Sequence, residues 1–219
     1  MSKTILMIVT SHGYLDNGRH IGVWFEEFVT PDAIFKKAGY DVVVVSPKGG
    51  DTPIDARSLV EADSSKFGNE TKALLDTKTL DGIQAEDYTA LFLPGGHGPM
   101  FDTQFDDRVA KIVTDFSAQE KPIAAVCHGQ AALFRATKPN GDPLVKGEEV
   151  TGFSNEEEEQ AGTVALLPNL IETTLRELGG QYSHGDAWQA HVVGSGKLIT
   201  GQNAASSHDA AGVLVGQLA

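Results

Sequence analysis

Short apolar runs alternate with amphipathic stretches along the whole chain of 219 residues. Four of these runs are continuous in aliphatic residues and bounded by turn formers: TILMIV (4–9), DVVVVS (41–46), TALFLP (89–94) and PIAAV (122–126). Such runs are typical of strands buried on both faces, as in a parallel sheet covered by helices. Shorter strands are predicted at QYSH (181–184), AHVV (190–193) and KLITG (197–201), followed by a C-terminal helix from about Ala204.

The stretches between the strands carry apolar residues at helical spacing. FDDRVAKIVTDF places five of them on one helix face: Phe105, Val109, Ile112, Val113 and Phe116. LPNLIETTLREL (167–178) repeats this pattern. In TPDAIFKKAG (30–39), the residue types predict a helix that is capped by Thr30, has Pro31 in its first position and stops at Gly39.

This alternation predicts an α/β fold, an open sandwich with a mostly parallel sheet flanked by helices. No linker or shift in composition divides the chain, so we predict a single domain over residues 1–219. Ligands of such sheets bind outside the carboxyl ends of the strands. Three predicted loops reach that edge: SHGYLDNGRH, GGHGPM and CHGQ. The stretches 47–70 and 137–147 are predicted to be surface loops or lids.

Composition and charge narrow the classes of function. The chain is 41% hydrophobic with a formal net charge of −13, which disfavours binding to nucleic acids or anionic lipid by electrostatics. The one cysteine excludes an internal disulfide framework and favours a reducing, cytoplasmic setting. The N-terminal apolar core of five residues is too short for a secretory signal, and no run approaches the ~20 residues that cross a bilayer.

The stretch KPIAAVCHGQAALF (121–134) holds this single cysteine, Cys127. A strand that ends at a nucleophile and turns sharply into a helix, with small residues around it, is typical of a nucleophile elbow. The helix N-terminus would favour the thiolate, and His128 would act as its base or charge partner. The alternative is a buried cysteine that packs as a small hydrophobic residue.

The glycine-rich stretch LPGGHGPMFD (93–102) follows a predicted buried strand. Its consecutive glycines, Gly95 and Gly96, let backbone amides approach a ligand closely, and with the amide of His128 they would form an oxyanion hole. The alternative is an ordinary tight turn.

Candidate proton carriers lie in GVWFEEFVTP (22–31), where Glu26 and Glu27 sit among apolar residues. A carboxyl group in apolar surroundings has a raised pKa and suits proton transfer. Spacing alone does not choose between the two, and both being solvated remains an alternative. The acidic run NEEEEQ (155–160) is predicted to be a solvated helix start.

The histidines show no metal-ligand spacing, so we predict surface or hydrogen-bonding roles for most of them and no metal site. Apart from the histidine next to the cysteine, they are His12, His20, His97, His184, His191 and His208.

Five segments together resemble the PfpI/ThiJ superfamily, which has a class I glutamine-amidotransferase-like fold, and within it the branch of heat-shock chaperones and glutathione-independent glyoxalases (glyoxalase III). They are GVWFEEFVTPDAIFKKAGYDVVVVSPKGG, LFLPGGHGPMFD, AAVCHGQAAL, EVTGFSNEEE and HVVGSGKLITGQNAASSH, which occur in family order between residues 22 and 208.

The resemblance implies a flavodoxin-like sandwich, a homodimer and a site without a cofactor. It places the nucleophile on Cys127, its histidine on His128, the active-site glutamate on Glu27 and the oxyanion amides on Gly95, Gly96 and His128. A supporting acid falls near Glu158. The implied activity is conversion of a 2-oxoaldehyde such as methylglyoxal to a 2-hydroxy acid such as lactate. The alternatives are a protein deglycase, a cysteine peptidase or amidase, and a stress holdase chaperone.

Overall fold

The computed structural model describes residues 3–61 and 70–219 and has the predicted α/β architecture. Among the described residues, seven strands form the main sheet: β1 (Thr4–Ile8), β2 (Asp41–Ser46), β3 (Lys78–Thr79), β4 (Ala90–Leu93), β5 (Ile123–Val126), β8 (Val192–Ser195) and β9 (Leu198–Gly201). Their order across the sheet is β3-β2-β1-β4-β5-β9-β8. All neighbours pair in parallel except β8 and β9. The central order is that of a flavodoxin-like sheet.

The helices cover both faces of this sheet, as expected for a buried parallel sheet. They are α1 (Phe25–Lys37), α2 (Ala56–Glu61), α3 (Glu70–Leu75), α4 (Asp107–Ala118), α5 (Asn155–Ala161), α6 (Ile171–Glu177) and α7 (Ser207–Gly216). Alternate residues of β1 enter two separate cores, because neighbouring side chains of a strand point to opposite faces: Leu6 and Ile8 enter one core, and Ile5 and Met7 enter the other. The predicted buried runs are confirmed on both faces.

The separate pairing of one predicted strand was not expected from the sequence. The predicted strand at QYSH is the short β7 (Gln181–Tyr182), which pairs in parallel with β6 (Glu149–Val150) in a separate sheet. Two-residue strands carry too little alternation to be recognised in a sequence.

The predicted start of the first helix was wrong. Thr30 and Pro31 lie inside α1, which begins at Phe25 with Trp24 as its N-cap, although the stop near Gly39 is confirmed. Phe25, Phe28 and Val29 are fully buried against the sheet. Burial of such side chains, about 1.5–3 kcal/mol each, outweighs the roughly 3 kcal/mol cost of an internal proline. The earlier start puts Glu27 in the first turn of α1.

The other amphipathic predictions hold in part. In α4, Val109, Ile112, Val113 and Phe116 are buried as predicted, but Phe105 precedes the Asp106 cap and is exposed. The helix in LPNLIETTLREL is shortened to Ile171–Glu177. The stretch 47–70, predicted as a loop or lid, contains α2, and its residues 62–69 lie outside the described part of the chain.

No helix within residues 3–61 and 70–219 combines the length and apolar character that a membrane crossing requires.

Candidate active site

The turn after β5 carries Cys127 in the conformation expected of a nucleophile elbow. Cys127 has φ of 58°, a left-handed value that costs a non-glycine residue free energy and is retained where the surrounding fold enforces it. Space for the turn comes from Gly129, where an added Cβ would lie 2.1 Å from the carbonyl oxygen of Leu93. The predicted helix after the cysteine is instead a 3-10 turn, Cys127–Leu133.

Beside the thiol lies the imidazole of His128, with Cys127 Sγ 3.2 Å from Nδ1. On its other side, His128 Nε2 lies 2.7 Å from Oε2 of Glu158. Burial alone would raise the pKa of Glu158, but His128 and His97 lower it well below the usual value. Since a carboxylate only accepts hydrogen bonds, His128 donates through Nε2 and leaves Nδ1 to accept the thiol proton.

The run of four glutamates therefore does not behave as a solvated helix start throughout. It does begin a helix, α5, which Ser154 and Glu157 close with a capping box. However, Glu157 and Glu158 are both buried. Of the four glutamates, Glu158 is the one whose carboxylate contacts His128.

Glu27, and not Glu26, is the buried glutamate of α1. Glu27 is completely buried and accepts a 2.7 Å hydrogen bond at Oε2 from the amide of Gly95, whereas Glu26 is exposed. Burial raises the pKa of Glu27 to about 8, although interactions with the Cys127 thiol and the Gly95 amide partly oppose this. Glu27 is thus mainly protonated at neutral pH.

The thiol also holds its proton at rest. Burial raises the pKa of Cys127 well above its ordinary value, and the Glu27 carboxylate raises it further. The prediction that a helix N-terminus favours a thiolate here is wrong, because the turn is a short 3-10 segment and the sulfur is removed from water. Attack by this sulfur requires a base, and His128 Nδ1 is in position to be one.

The glycine loop after β4 has two different roles. The Gly95 amide is occupied by Glu27, so it holds the carboxyl group, in place of the oxyanion role we predicted for it. The Gly96 amide interacts with the Cys127 sulfur and lowers its pKa. Gly96 has φ of 86°, and an added Cβ there would lie 2.2 Å from the carbonyl oxygen of Gly22. Gly96 and His128 remain the candidate oxyanion amides.

Sequence reasoning missed several residues around the thiol. His97 has one of the roles expected for the histidines, a hydrogen bond, but in a buried place beside the thiol that the sequence did not indicate, with Nε2 3.0 Å from Oε1 of Glu158. Arg57 Nη2 lies 3.4 Å from His97 Nδ1 and also pairs with Asp55 at 2.6 Å. The signal for His97 was its position in the glycine loop after β4, beside the end of β5. Arg57 and Asp55 are distant in the chain and carried no such signal.

A cavity of about 550 Å³ opens onto the thiol. Its aromatic wall includes Trp24, Phe153 and Trp188, and Glu27, Cys127 and His128 lie at its reactive end. The loops after β4 and β5 line this cavity as predicted. The loop after β1 contributes none of the described lining residues and instead bonds to Asp102, through Thr10 and Ser11.

Among the described residues, one group of metal-ligand type is close enough to share an ion: His97, His128 and Glu158, with ligand atoms within 4.8 Å of one another. Both Nε2 atoms are already bonded to oxygens of this carboxylate. The contacts therefore connect the thiol to His128, His128 to Glu158, and Glu158 to His97.

Comparison with known proteins gives a consistent result. The DJ-1/PfpI family matches residues 22–216. The glutathione-independent glyoxalase HSP31 of Saccharomyces cerevisiae is 31% identical, over 95% of each chain. Two solved structures superpose closely. The Rapid Encystment Protein 24 kDa of Francisella tularensis is 32% identical, with a TM-score of 0.94 over all of both chains. Glyoxalase III of Candida albicans is 26% identical, with a TM-score of 0.88 over 97% of this chain and 96% of that one.

Proposed function

Because this chain belongs to the DJ-1/PfpI family, we propose that it is a glyoxalase that needs no glutathione and converts a 2-oxoaldehyde such as methylglyoxal to a 2-hydroxy acid such as lactate. The observation that carries the proposal is the pair of proton carriers around one sulfur. His128 Nδ1 lies 3.2 Å from Cys127 Sγ, and the buried carboxyl group of Glu27 interacts with the same thiol. Moving a hydrogen between two adjacent carbons needs such a carrier in addition to the base that activates the nucleophile.

In the first step, the Cys127 thiol gives its proton to His128, and the sulfur attacks the aldehyde carbon. Glu27, which is protonated at neutral pH, gives its proton to the aldehyde oxygen, so a neutral hemithioacetal forms. Glu158 stabilises the imidazolium of His128 through the 2.7 Å hydrogen bond. The Gly96 and His128 amides support negative charge on oxygen as the carbonyl opens.

In the second step, the Glu27 carboxylate removes the hydrogen from the former aldehyde carbon, and His128 protonates the neighbouring ketone oxygen. The resulting enediol takes the proton back from Glu27 at the former ketone carbon. The hydroxyl group on the former aldehyde carbon then gives its proton to His128. The product is a lactoyl thioester on Cys127, with no net oxidation. Water then hydrolyses the thioester and yields lactate, the free thiol, protonated Glu27 and one proton released to solvent.

The test is lactate formation from methylglyoxal by the purified protein without added glutathione. We expect Cys127→Ala to abolish turnover and Glu27→Gln to lower kcat at least about a hundredfold, because general acid–base catalysis contributes about 10²–10⁴. Glu159→Gln, an exposed change in α5, is the matched control and is expected to retain the wild-type rate. Wild-type turnover by either site variant would contradict this mechanism.

A thiol-dependent hydrolase is the second candidate, and the Cys127–His128–Glu158 contacts favour it, because a nucleophile, its base and an orienting acid also suit acyl transfer. The 6% exposure of Cys127 and the size of the cavity favour a small substrate over a polypeptide. Hydrolysis of a small ester or amide, without turnover of methylglyoxal, would support this second function instead.

We further propose that the protein acts in the cytoplasm as a homodimer. A catalytic thiol without a disulfide partner suits a reducing compartment. Light scattering coupled to gel filtration measures the mass directly, and a mass near 23.3 kDa would contradict the dimer.

A further inference from the structure

A chain of polar side chains continues beyond the residues that carry out the chemistry. It runs from Glu158 to His97, from His97 to Arg57 and from Arg57 to Asp55. His97 and Asp55 are buried, and Arg57 reaches the cavity wall with its side chain 41% exposed. The proposed mechanism uses none of these three residues directly.

We propose that His97, held by Arg57 and Asp55, is a positioning residue that keeps Glu158 ionised and oriented towards His128, so that His128 presents its basic Nδ1 to the Cys127 sulfur. This inference rests on the proposed function for its kinetic consequences. The tautomers and the thiol reactivity that it predicts do not depend on any substrate.

The tautomer of His97 is determined by its contact with Arg57. An arginine side chain only donates hydrogen bonds, so the His97 nitrogen that faces Arg57 Nη2 must be the acceptor, Nδ1. The proton of the neutral ring therefore lies on Nε2, which faces Glu158 Oε1 at 3.0 Å. The opposite tautomer would set two donors against each other at Arg57.

Protonation of His97 at both nitrogens is disfavoured by its surroundings. Burial lowers the pKa of His97 to about 4, and electrostatic repulsion from His128 and Arg57 acts in the same direction, whereas Glu158 opposes it. His97 is thus neutral at neutral pH, with its single proton directed at Glu158. Arg57 is itself held by two hydrogen bonds to Asp55, at 3.0 Å from Nε and 2.6 Å from Nη2.

The carboxylate of Glu158 accepts hydrogen bonds at both of its oxygens. Oε1 accepts from His97 Nε2 and from the hydroxyl of Thr163, and Oε2 accepts from His128 Nε2. Three donors satisfy a buried carboxylate and favour its charged form. An ionised Glu158 can only accept, so a His128 ring that carries one proton holds it on Nε2, and its Nδ1 lone pair faces the sulfur 3.2 Å away. His97 and Thr163 keep Oε1 occupied while Oε2 orients His128.

Removing the His97 donor has a defined consequence. In His97→Leu, Oε1 of Glu158 loses one donor in a buried place, the pKa of Glu158 rises, and the Nε2–H tautomer of His128 is less populated. We expect kcat for methylglyoxal to fall about ten- to a hundredfold, the size expected for one hydrogen bond to a charged group, with a smaller change in KM. The acid limb of the kcat profile should move to higher pH. Glu158 is the group behind this shift, and the titratable or charged groups that face it are His128, His97 and Arg57.

The experiment compares four variants by three readouts. His97→Leu removes the donor, His97→Gln retains an amide donor for Glu158, and Arg57→Met removes the group that fixes the His97 tautomer. His208→Leu, an exposed change in α7, is the matched control. The readouts are kcat and KM against pH, the rate of Cys127 alkylation by iodoacetamide without substrate, and the ¹⁵N chemical shifts of the histidine rings.

We expect wild-type His97 to be the Nε2–H tautomer, and Arg57→Met to give a mixture. His97→Leu should slow alkylation at least tenfold, and His97→Gln should restore most of both rates, with circular dichroism confirming that each variant is folded. An Nδ1–H tautomer in the wild type, or wild-type alkylation by folded His97→Leu, would overturn the inference. If the wild type does not convert methylglyoxal but alkylation still depends on His97, the proposed function fails while the positioning role stands.

Discussion

Glu27 and Glu158 are both buried carboxyl groups, yet their neighbours move their pKa values in opposite directions. Burial dominates at Glu27, where one amide and one thiol are the interacting groups, and the pKa rises to about 8. At Glu158, burial also raises the pKa, but the imidazoles of His128 and His97 outweigh it, and the pKa falls. Two carboxyl groups with pKa values displaced in opposite directions suit an acid and a charged partner of a base. The residue types were visible in the sequence, but these neighbours were not.

The orientation of His128 gives a prediction at the residue scale. In Glu158→Gln, the side-chain amide can donate to His128 Nε2, which places the imidazole proton on Nδ1, opposite the thiol. We expect kcat/KM for methylglyoxal to fall about a hundredfold or more, and Cys127 alkylation to slow in parallel.

The neighbouring Glu159→Gln is the control for this change, because Glu159 lies on the exposed side of the same helix. If Glu158→Gln kept more than half of the wild-type rate, Glu158 would have no part in orienting His128.

At the scale of elements, the site depends on close approach between the end of β4 and the turn after β5. An added Cβ on Gly95 would lie 2.6 Å from the amide nitrogen of His128, and one on Gly129 would lie 2.1 Å from the oxygen of Leu93. These glycines bring two backbone segments together where the parallel strands end. The sequence indicated both loops, because glycines follow two buried runs. Only the packing of the loops decided that the Gly95 amide binds Glu27 and that the Gly96 amide interacts with the thiol.

The matching prediction concerns Gly129. We expect Gly129→Ala to lower the free energy of unfolding by at least about 2 kcal/mol, since the new methyl group meets backbone that cannot move independently of β4. Turnover and the alkylation of Cys127 should also fall, because the turn must shift. Thermal and urea unfolding provide the measurement.

Gly212→Ala in α7 is the control for this change, since an added Cβ there has no neighbour within 4 Å. It should be neutral or stabilise the protein by about 0.5–1 kcal/mol. Equal unfolding midpoints for the two variants would contradict the steric argument.

For the whole molecule, the raised pKa of Glu27 lowers the free energy of unfolding at neutral pH. The unfolded chain releases this proton above about pH 4.5, whereas the folded protein keeps it to about pH 8. The folded state therefore binds more protons in this interval, and the free energy of unfolding falls as pH rises through it. The lowered pKa of Glu158 acts oppositely and removes stability as the solution becomes acidic. Together these two groups favour a stability maximum at mildly acidic pH.

The test at this scale is the stability of Glu27→Gln against pH. We expect this variant to be more stable than the wild type at pH 7 by up to about 3 kcal/mol, and its stability to change less between pH 5 and pH 8. Urea unfolding at several pH values measures both effects, with the exposed change Glu177→Gln as control. A wild-type slope in Glu27→Gln would mean that the proton does not reside on Glu27.

The sequence by itself determined the α/β class, the central strands and the elbow at Cys127, because strand burial and tight turns depend on residues that are adjacent in the chain. Through the family resemblance, it also predicted Glu27 as the active-site glutamate. Tertiary structure alone decided that α1 starts at Phe25 and that the thiol rests protonated. It also decided that His97 contacts Glu158 on one side and Arg57 on the other. These features depend on burial and on contacts between distant segments, and local patterns do not encode which charges share a buried space.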